Sequence, residues 1–182
     1  MFLSFLSATL IVIGFLVASD VFSEAVLPVV ALLLAVDLFI GLATAGRLSD
    51  ASSEEFTAIR GMNRIRHAYA EMLPGIERYF VTPIHDDARG VLAAFGDTSS
   101  DSSLLGVIHG LTTAIGMLVL IDCALFAALL SVLAAGLGLG TPIAIAIGVV
   151  GFAALFGWSA LMGTRMALKS AKEPDALFPS AD

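Results

Sequence analysis

Four long apolar runs dominate this chain and constrain its fold more than any other feature. They cover about residues 2–18, 25–45, 104–133 and 143–167, and the whole chain is 58% hydrophobic and only 14% charged. A soluble domain is about 45–50% apolar, so one water-soluble core could not absorb four such runs. About 20 apolar residues in a helix cross a hydrocarbon layer. The sequence therefore predicts a four-span membrane protein.

The basic residues predict the orientation of these spans. Two of the three connections between the apolar runs contain no Lys or Arg, whereas the long middle connection and the end of the chain contain them all. They are Arg47, Arg60, Arg64, Arg66, Arg78, Arg89, Arg165, Lys169 and Lys172. Positively charged loops stay in the cytoplasm, so both termini are predicted to be cytoplasmic. The net charge of −7 argues against a nucleic-acid partner.

The predicted fold class is all-α: a four-helix transmembrane bundle with a helical cytoplasmic insertion between spans 2 and 3. The predicted divisions are a transmembrane hairpin at 1–46, a cytoplasmic segment at 47–103, a second hairpin at 104–167 and a tail at 168–182. Within the insertion, Ser52 or Ser53 before two glutamates predicts the start of a new helix. Apolar residues at steps of three and four between Phe56 and Phe80 predict an amphipathic helix, which Pro74-Gly75 should interrupt.

Two acidic residues, Asp37 and Asp122, lie deep inside the predicted spans 2 and 3. An aspartate at the centre of a membrane helix costs about 2.5–3.5 kcal/mol, so something must offset that cost. At 1.5 Å per residue, both lie about 20 Å below the outer boundary, which places them at nearly one level. If they face each other, one should carry a shared proton. If they face apart, each is expected to be neutral and to donate to a carbonyl or hydroxyl oxygen.

Small residues predict where helices approach closely. Gly41 and Ala45 follow Asp37 at one and two turns, so they share its helix face. Gly106 and Gly110 form a GxxxG pattern at the inner end of span 3. Both patterns are typical of closely packed membrane helices.

Three roles for the buried acids remain open. Each acid could be a hydrogen-bond anchor between helices, a member of a proton or cation relay, or a contact for a partner chain. The first role is structural and the second would make the protein a small transporter or channel, working as an oligomer.

The insertion offers a candidate contact surface and a candidate metal site. The predicted contact surface consists of Arg60, Arg64, Arg66, His67, Tyr69 and Tyr79. It could lie on an anionic membrane surface or pack beneath the spans. His85, Asp86 and Asp87, with His67 upstream, are residue types that can bind a divalent metal. The alternative is a solvated loop in which Asp86 or Asp87 caps a short helix over about 86–95.

The stretch RGMNRIRHAYAEMLPGIERYFVTPIHDD, from Arg60 to Asp87, resembles a pattern in small bacterial four-span membrane proteins of unassigned function. The resemblance implies a bacterial cytoplasmic membrane, and it implies that this stretch is a defined element rather than a spacer. It brings no activity or ligand with it.

The sequence favours a non-enzymatic accessory or scaffolding component of a membrane complex. No complete catalytic motif is present, and no cofactor is expected. The expected partners are the lipid bilayer and either further copies of the chain or a larger membrane complex. The alternatives are the oligomeric transporter acting through Asp37 and Asp122, and a membrane-bound metalloenzyme.

Overall fold

The computed structural model describes residues 2–18, 26–94, 111–171 and 176–180. All regular structure in these ranges is helical, as the sequence predicts. The helices are α1 (Phe2–Ala18), α2 (Leu27–Met72), a short 3-10 helix (Ile76–Tyr79), α3 (Ala88–Ala94), α4 (Ala114–Gly136) and α5 (Thr141–Ala171).

Three of these helices, α2, α4 and α5, are long and apolar enough to cross a membrane. The first helix, α1, is equally apolar in character but has only 17 residues. The length and composition of these three helices support the prediction of a membrane protein.

The helix predicted to begin at Ser52 or Ser53 does not exist as a separate element. Helix α2 runs without a break from Leu27 to Met72. At this point the Thr57 hydroxyl donates to the Ser53 carbonyl, four residues earlier, as it does inside a helix. The prediction of a helix start at Ser52 or Ser53 is wrong because no residue between 46 and 55 ends the preceding helix. The helix ends where Pro74-Gly75 predicts, and Gly75 has a φ of 90°, in the left-handed region.

The chain divides into two compact units. The apolar unit comprises Met1–Leu48 and Ile108–Leu161, and the polar unit comprises Ser49–Val107 and Met162–Asp182. In the apolar unit, Val30 and Leu34 of α2 pack with Leu118 and Leu125 of α4, and Phe2 of α1 belongs to the same core. Close packing of apolar side chains holds this unit together.

Helix α5 approaches α4 through two glycines. A Cβ at Gly148 would meet the Ser131 hydroxyl and would lie 2.8 Å from the carbonyl oxygen of Ala127. One turn further on, a Cβ at Gly151 would meet the Leu130 side chain. Small residues allow this approach in the manner expected of membrane helices.

The polar unit has a different interior. Among its described residues, the fully buried side chains are Asn63, Asp86 and Val91, and two of these three are polar and hydrogen-bonded. Helix α3 begins at Ala88, and its cap is Asp87, whose Oδ1 accepts from the Gly90 amide at 2.9 Å. Asp86, by contrast, is completely buried, so this segment is not the solvated loop that the alternative interpretation predicts.

Candidate functional site

The two predicted intramembrane acids are both buried in the apolar unit. The exposed fraction is 0% for Asp37 and 3% for Asp122. Asp122 Oδ1 occupies the place that a Cβ at Gly41 would take. Since Gly41 lies one turn after Asp37, the structure brings the carboxyl group of α4 onto the acid-bearing face of α2. Ala45, one turn further, packs against the same core.

These acids have no hydrogen-bond partner among the residues that the structure describes. All four carboxyl oxygens of Asp37 and Asp122 are buried and unpartnered there. A buried polar group without a partner costs about 1–3 kcal/mol, and an unpaired charge costs more. The pair of carboxyl groups thus offers oxygen atoms to a proton, a water molecule or a cation.

A second site lies in the polar unit, where Asp86 binds the end of the chain. Its Oδ2 accepts from the Arg64 guanidinium at 2.7 Å and from the Leu177 amide at 3.0 Å. Its Oδ1 accepts from the Phe178 amide at 2.8 Å. In return, the Asp86 amide donates to the Phe178 carbonyl at 3.3 Å. One aspartate therefore contacts a helix and two consecutive residues of the tail.

Asp87 extends the same contact. Besides capping α3, it accepts from the Ser180 amide through Oδ2 and from the Ser180 hydroxyl through Oδ1, both at 3.0 Å. The Phe178 ring stacks on the His67 ring with their centroids 3.8 Å apart and the planes 20° from parallel. Residues 177–180 thus lie along a surface made by α2 and the segment before α3.

Contacts from α2 hold that surface in shape. The Asn63 amide donates to the His85 carbonyl at 2.7 Å, and the Arg66 guanidinium donates to the Asn63 side-chain oxygen at 2.7 Å. The His85 carbonyl also lies against Gly90, where a Cβ would collide with it. Asn63 and Arg66 lie three residues apart on one helix, which allows their side chains to meet.

The electrostatics of this site favour ionised aspartates. Burial raises the pKa of Asp86, but hydrogen bonds from Arg64, Phe178 and Leu177, together with the Arg64 charge, outweigh it. The pKa of Asp86 consequently lies below its ordinary value of 3.8. The pKa of Asp87 is also lowered: burial raises it, and hydrogen bonds from Gly90 and Ser180 and the charge of His85 more than compensate.

The apolar face of α2 in the polar unit is exposed, and its polar face is covered. Asn63 is buried and His67 lies under Phe178, whereas four apolar side chains at steps of three and four are 45 to 70% exposed. These four residues, called here the exposed stripe, are Met62, Ile65, Tyr69 and Met72. The amphipathic helix predicted from the sequence is present, but the polar face is the one that packs inward.

The structure separates the predicted contact surface into two groups. Arg64, Arg66 and His67 are engaged in contacts within the polar unit. Tyr69 and Tyr79 are exposed, and the Arg78 guanidinium lies over the Tyr79 ring at 4.8 Å. Arg60 is half-buried.

Of the predicted metal ligands, the two aspartates are engaged in other contacts. The carboxylates of Asp86 and Asp87 accept hydrogen bonds from the tail. Within 2–18, 26–94, 111–171 and 176–180, no group of three or more His, Cys, Asp or Glu side chains is arranged to hold a metal ion. Gly106 and Gly110 lie outside the described residues. Sequence reasoning missed the tail contact, for which the only signal was an apolar Leu-Phe-Pro near the charged end of the chain.

The described residues thus form a helical protein in which three helices are apolar enough to cross a membrane. Its polar unit binds residues 177–180. No protein-family model, curated protein or solved structure matches the chain.

Proposed function

We propose that this chain is a four-span protein of a bacterial cytoplasmic membrane and a non-enzymatic component of a membrane complex. In this proposal α1 is the fourth span, both termini are cytoplasmic, and the exposed stripe docks on an apolar helix face of a partner protein. The stripe is the single observation that supports the proposal best. Contiguous exposed apolar side chains are typical of interaction sites.

The surroundings of the stripe favour a protein partner over a lipid surface. A helix that lies on an anionic membrane flanks its apolar face with free cations. Here Arg64 is bound to Asp86 and Arg66 to Asn63, so both are turned toward contacts of the polar unit itself. Exposed Tyr69 and Met72 instead offer the aromatic and thioether groups that are enriched at protein interfaces.

The test is native mass spectrometry of tagged protein that is gently extracted from its own host membrane. The wild type is expected to carry a second, different subunit, and Ile65→Glu with Tyr69→Glu is expected to lose it. Both side chains are exposed in the chain, so the double variant should fold normally. Val81→Glu is the control, because Val81 is 99% exposed and lies outside the stripe. Detection of the chain alone or only with further copies of itself would contradict the proposal.

A second candidate function is a small proton- or cation-coupled transporter, which the unpartnered carboxyl oxygens of Asp37 and Asp122 favour. Intramembrane acids are functional candidates by default. In this function the two carboxyl groups exchange a proton or bind a cation, and an oligomer supplies the aqueous path that four helices cannot enclose.

The transporter function predicts proton flux into liposomes that contain the purified protein, an internal pH dye and an imposed potassium diffusion potential. Asp37→Asn and Asp122→Asn should each reduce the flux at least tenfold while the native mass of the assembly is unchanged. Asp50→Asn is the matched control, since Asp50 is an exposed aspartate of the same helix α2. Loss of assembly together with flux would assign the acids a hydrogen-bonding role between helices.

A further inference from the structure

We propose that Asn63, Arg64, His67, Asp86 and Asp87 form a recognition site for a short peptide of the type Phe-Pro-Ser that bends just before its proline. The chain's own residues 178–180 are its resident ligand, and a partner subunit that presents the same chemistry replaces them. The source of the replacing segment rests on the proposed membrane complex, whereas the peptide site itself does not rest on the exposed stripe, which uses other residues of α2.

Main-chain groups of the ligand provide one part of the recognition. Asp86 receives the amides of Leu177 and Phe178 on its two carboxylate oxygens and donates its own amide to the Phe178 carbonyl. These bonds hold the segment largely through its backbone, which bends at Leu177 and Phe178 around the Asp86 carboxylate. Backbone pairing supplies affinity, and the side chains must supply selectivity.

Two side chains of the ligand supply that selectivity. Phe178 stacks on His67, and the Ser180 hydroxyl donates to Asp87. Leu177, in contrast, points away from the surface with 64% of its area exposed, so this position tolerates substitution. The required features are an aromatic residue and, two positions later, a hydroxyl group.

Pro179 fits between these two anchors for a chemical reason. The amides of Phe178 and Ser180 are both bound, whereas the position between them is occupied by a residue that has no amide hydrogen. Proline therefore loses no contact here, and its fixed φ restricts the free peptide before binding. Such preorganisation lowers the entropy cost of binding.

The receptor surface is held together by contacts that do not involve the ligand. Asn63 binds the His85 carbonyl, Arg64 binds Asp86, and Asp87 caps the amide of Gly90. The site should therefore keep its shape when the tail leaves. An empty site would leave the buried Asp86 carboxylate without two of its donors, which a second peptide can restore.

A tethered ligand competes strongly with a peptide in solution. Attachment to the same chain gives the tail an effective concentration of about the millimolar range. A competing segment must be presented at a similar local concentration, so its source is a subunit already bound in the same membrane complex. Replacement of residues 178–180 by the partner's segment would then indicate that the partner subunit is bound.

The experiment is fluorescence polarisation with a labelled nine-residue peptide, PDALFPSAD, identical to residues 174–182. The receptors are the purified full chain, a chain that ends after residue 175, and a full chain with Phe178→Ala and Ser180→Ala. The peptide is expected to bind both altered receptors at least tenfold more tightly than the wild type. The second altered receptor is a full-length chain in which only two half-buried tail side chains are shortened, so it tests the proposal even if truncation disturbs folding.

Three further measurements decide the result. The peptide with Phe178→Ala should bind the truncated receptor at least tenfold more weakly than the unaltered peptide does. The unaltered peptide should also bind the truncated receptor with Asp86→Asn at least tenfold more weakly than it binds the truncated receptor without this change. The receptor with Ile65→Glu and Tyr69→Glu, truncated likewise, should bind the peptide normally, which separates this site from the exposed stripe. Absence of peptide binding to both altered receptors, or equal binding of the Phe178→Ala peptide, would overturn the proposal.

Discussion

At the scale of residues, aspartates in this chain have opposite surroundings despite similar burial. Asp86 is completely buried and receives donors from Arg64 and from two amides of the tail. Asp37 and Asp122 are as deeply buried, but the described residues provide no donor for their oxygens. The first environment stabilises a charged carboxylate, whereas the described residues around Asp37 and Asp122 provide no such stabilisation.

The lowered pKa of Asp86 makes tail binding dependent on pH. A carboxylate whose folded-state pKa is lowered contributes stability that is present above the unfolded value of 3.8 and is lost as pH falls through the folded value. Tail binding is therefore expected to be constant near neutral pH and to weaken only below about pH 3.8. A fluorine label on Leu177→Cys, whose side chain is exposed, should report this change by NMR. A midpoint near pH 6 would contradict the assignment.

Gly41 tests the contact between the acid-bearing faces. In Gly41→Ala the new methyl group would collide with the Asp122 carboxyl group, whose short side chain has little freedom to move. Overpacking of this kind costs about 1–3 kcal/mol, so the thermal stability of the purified protein should fall. Gly46→Ala in the same helix is the control, because a Cβ there meets nothing within 4 Å. Equal stability of both variants would disprove this packing.

At the scale of elements, α2 combines two different helix faces in one continuous helix. Its first half packs apolar side chains such as Val30 and Leu34. In its second half Asn63 is buried and Ile65 is exposed, because the polar face finds hydrogen-bond partners in the 85–87 segment and the tail. Hydrophobic periodicity predicts a helix but does not by itself decide which face is covered.

The contact between α4 and α5 predicts an order of stability for three glycine variants. Gly148→Ala should be the most destabilising, by about 1–3 kcal/mol, because the Ala127 carbonyl in its way is backbone and cannot move alone. Gly151→Ala should cost less, since the flexible Leu130 side chain can adjust. Gly157→Ala, with nothing within 4 Å, should cause no loss. Thermal unfolding in detergent measures all three, and the reverse order would contradict this helix contact.

At the scale of the whole molecule, the number of spans decides where the two ends lie. Three helices are long enough to cross a membrane, and the proposal adds α1, with 17 residues, as the fourth. At 1.5 Å per residue α1 extends about 26 Å, close to the thickness of a thin hydrocarbon core. Four spans place both ends on the same side.

Reporter fusions test this topology. A cytoplasm-specific fluorescent protein should be active at either end of the chain, and a periplasm-specific phosphatase should be inactive at both. A phosphatase inserted at Gly138, in the turn between α4 and α5, should be active. Opposite results at the two ends of the chain would exclude four spans and favour three.

Local patterns account for the parts of the structure that the sequence predicts. Runs of apolar residues define the three long helices, Pro74-Gly75 ends α2, and an aspartate caps α3. The limit of such patterns appears at Ser53, where a capping signal has no effect because the helix before it is not interrupted. A capping residue therefore predicts the start of a helix only where the residues before it are not themselves helical.

Composition and periodicity by themselves determined the helical class and the apolar helices, because these properties depend on neighbouring residues. The tertiary structure alone decided which face of α2 is covered and which carboxylates have partners. The hydrogen bonds of Asp86 and Asp87 to the tail join residues 91 to 93 positions apart. No local pattern encodes such pairs, since they form only when the folded chain brings distant donors and acceptors together.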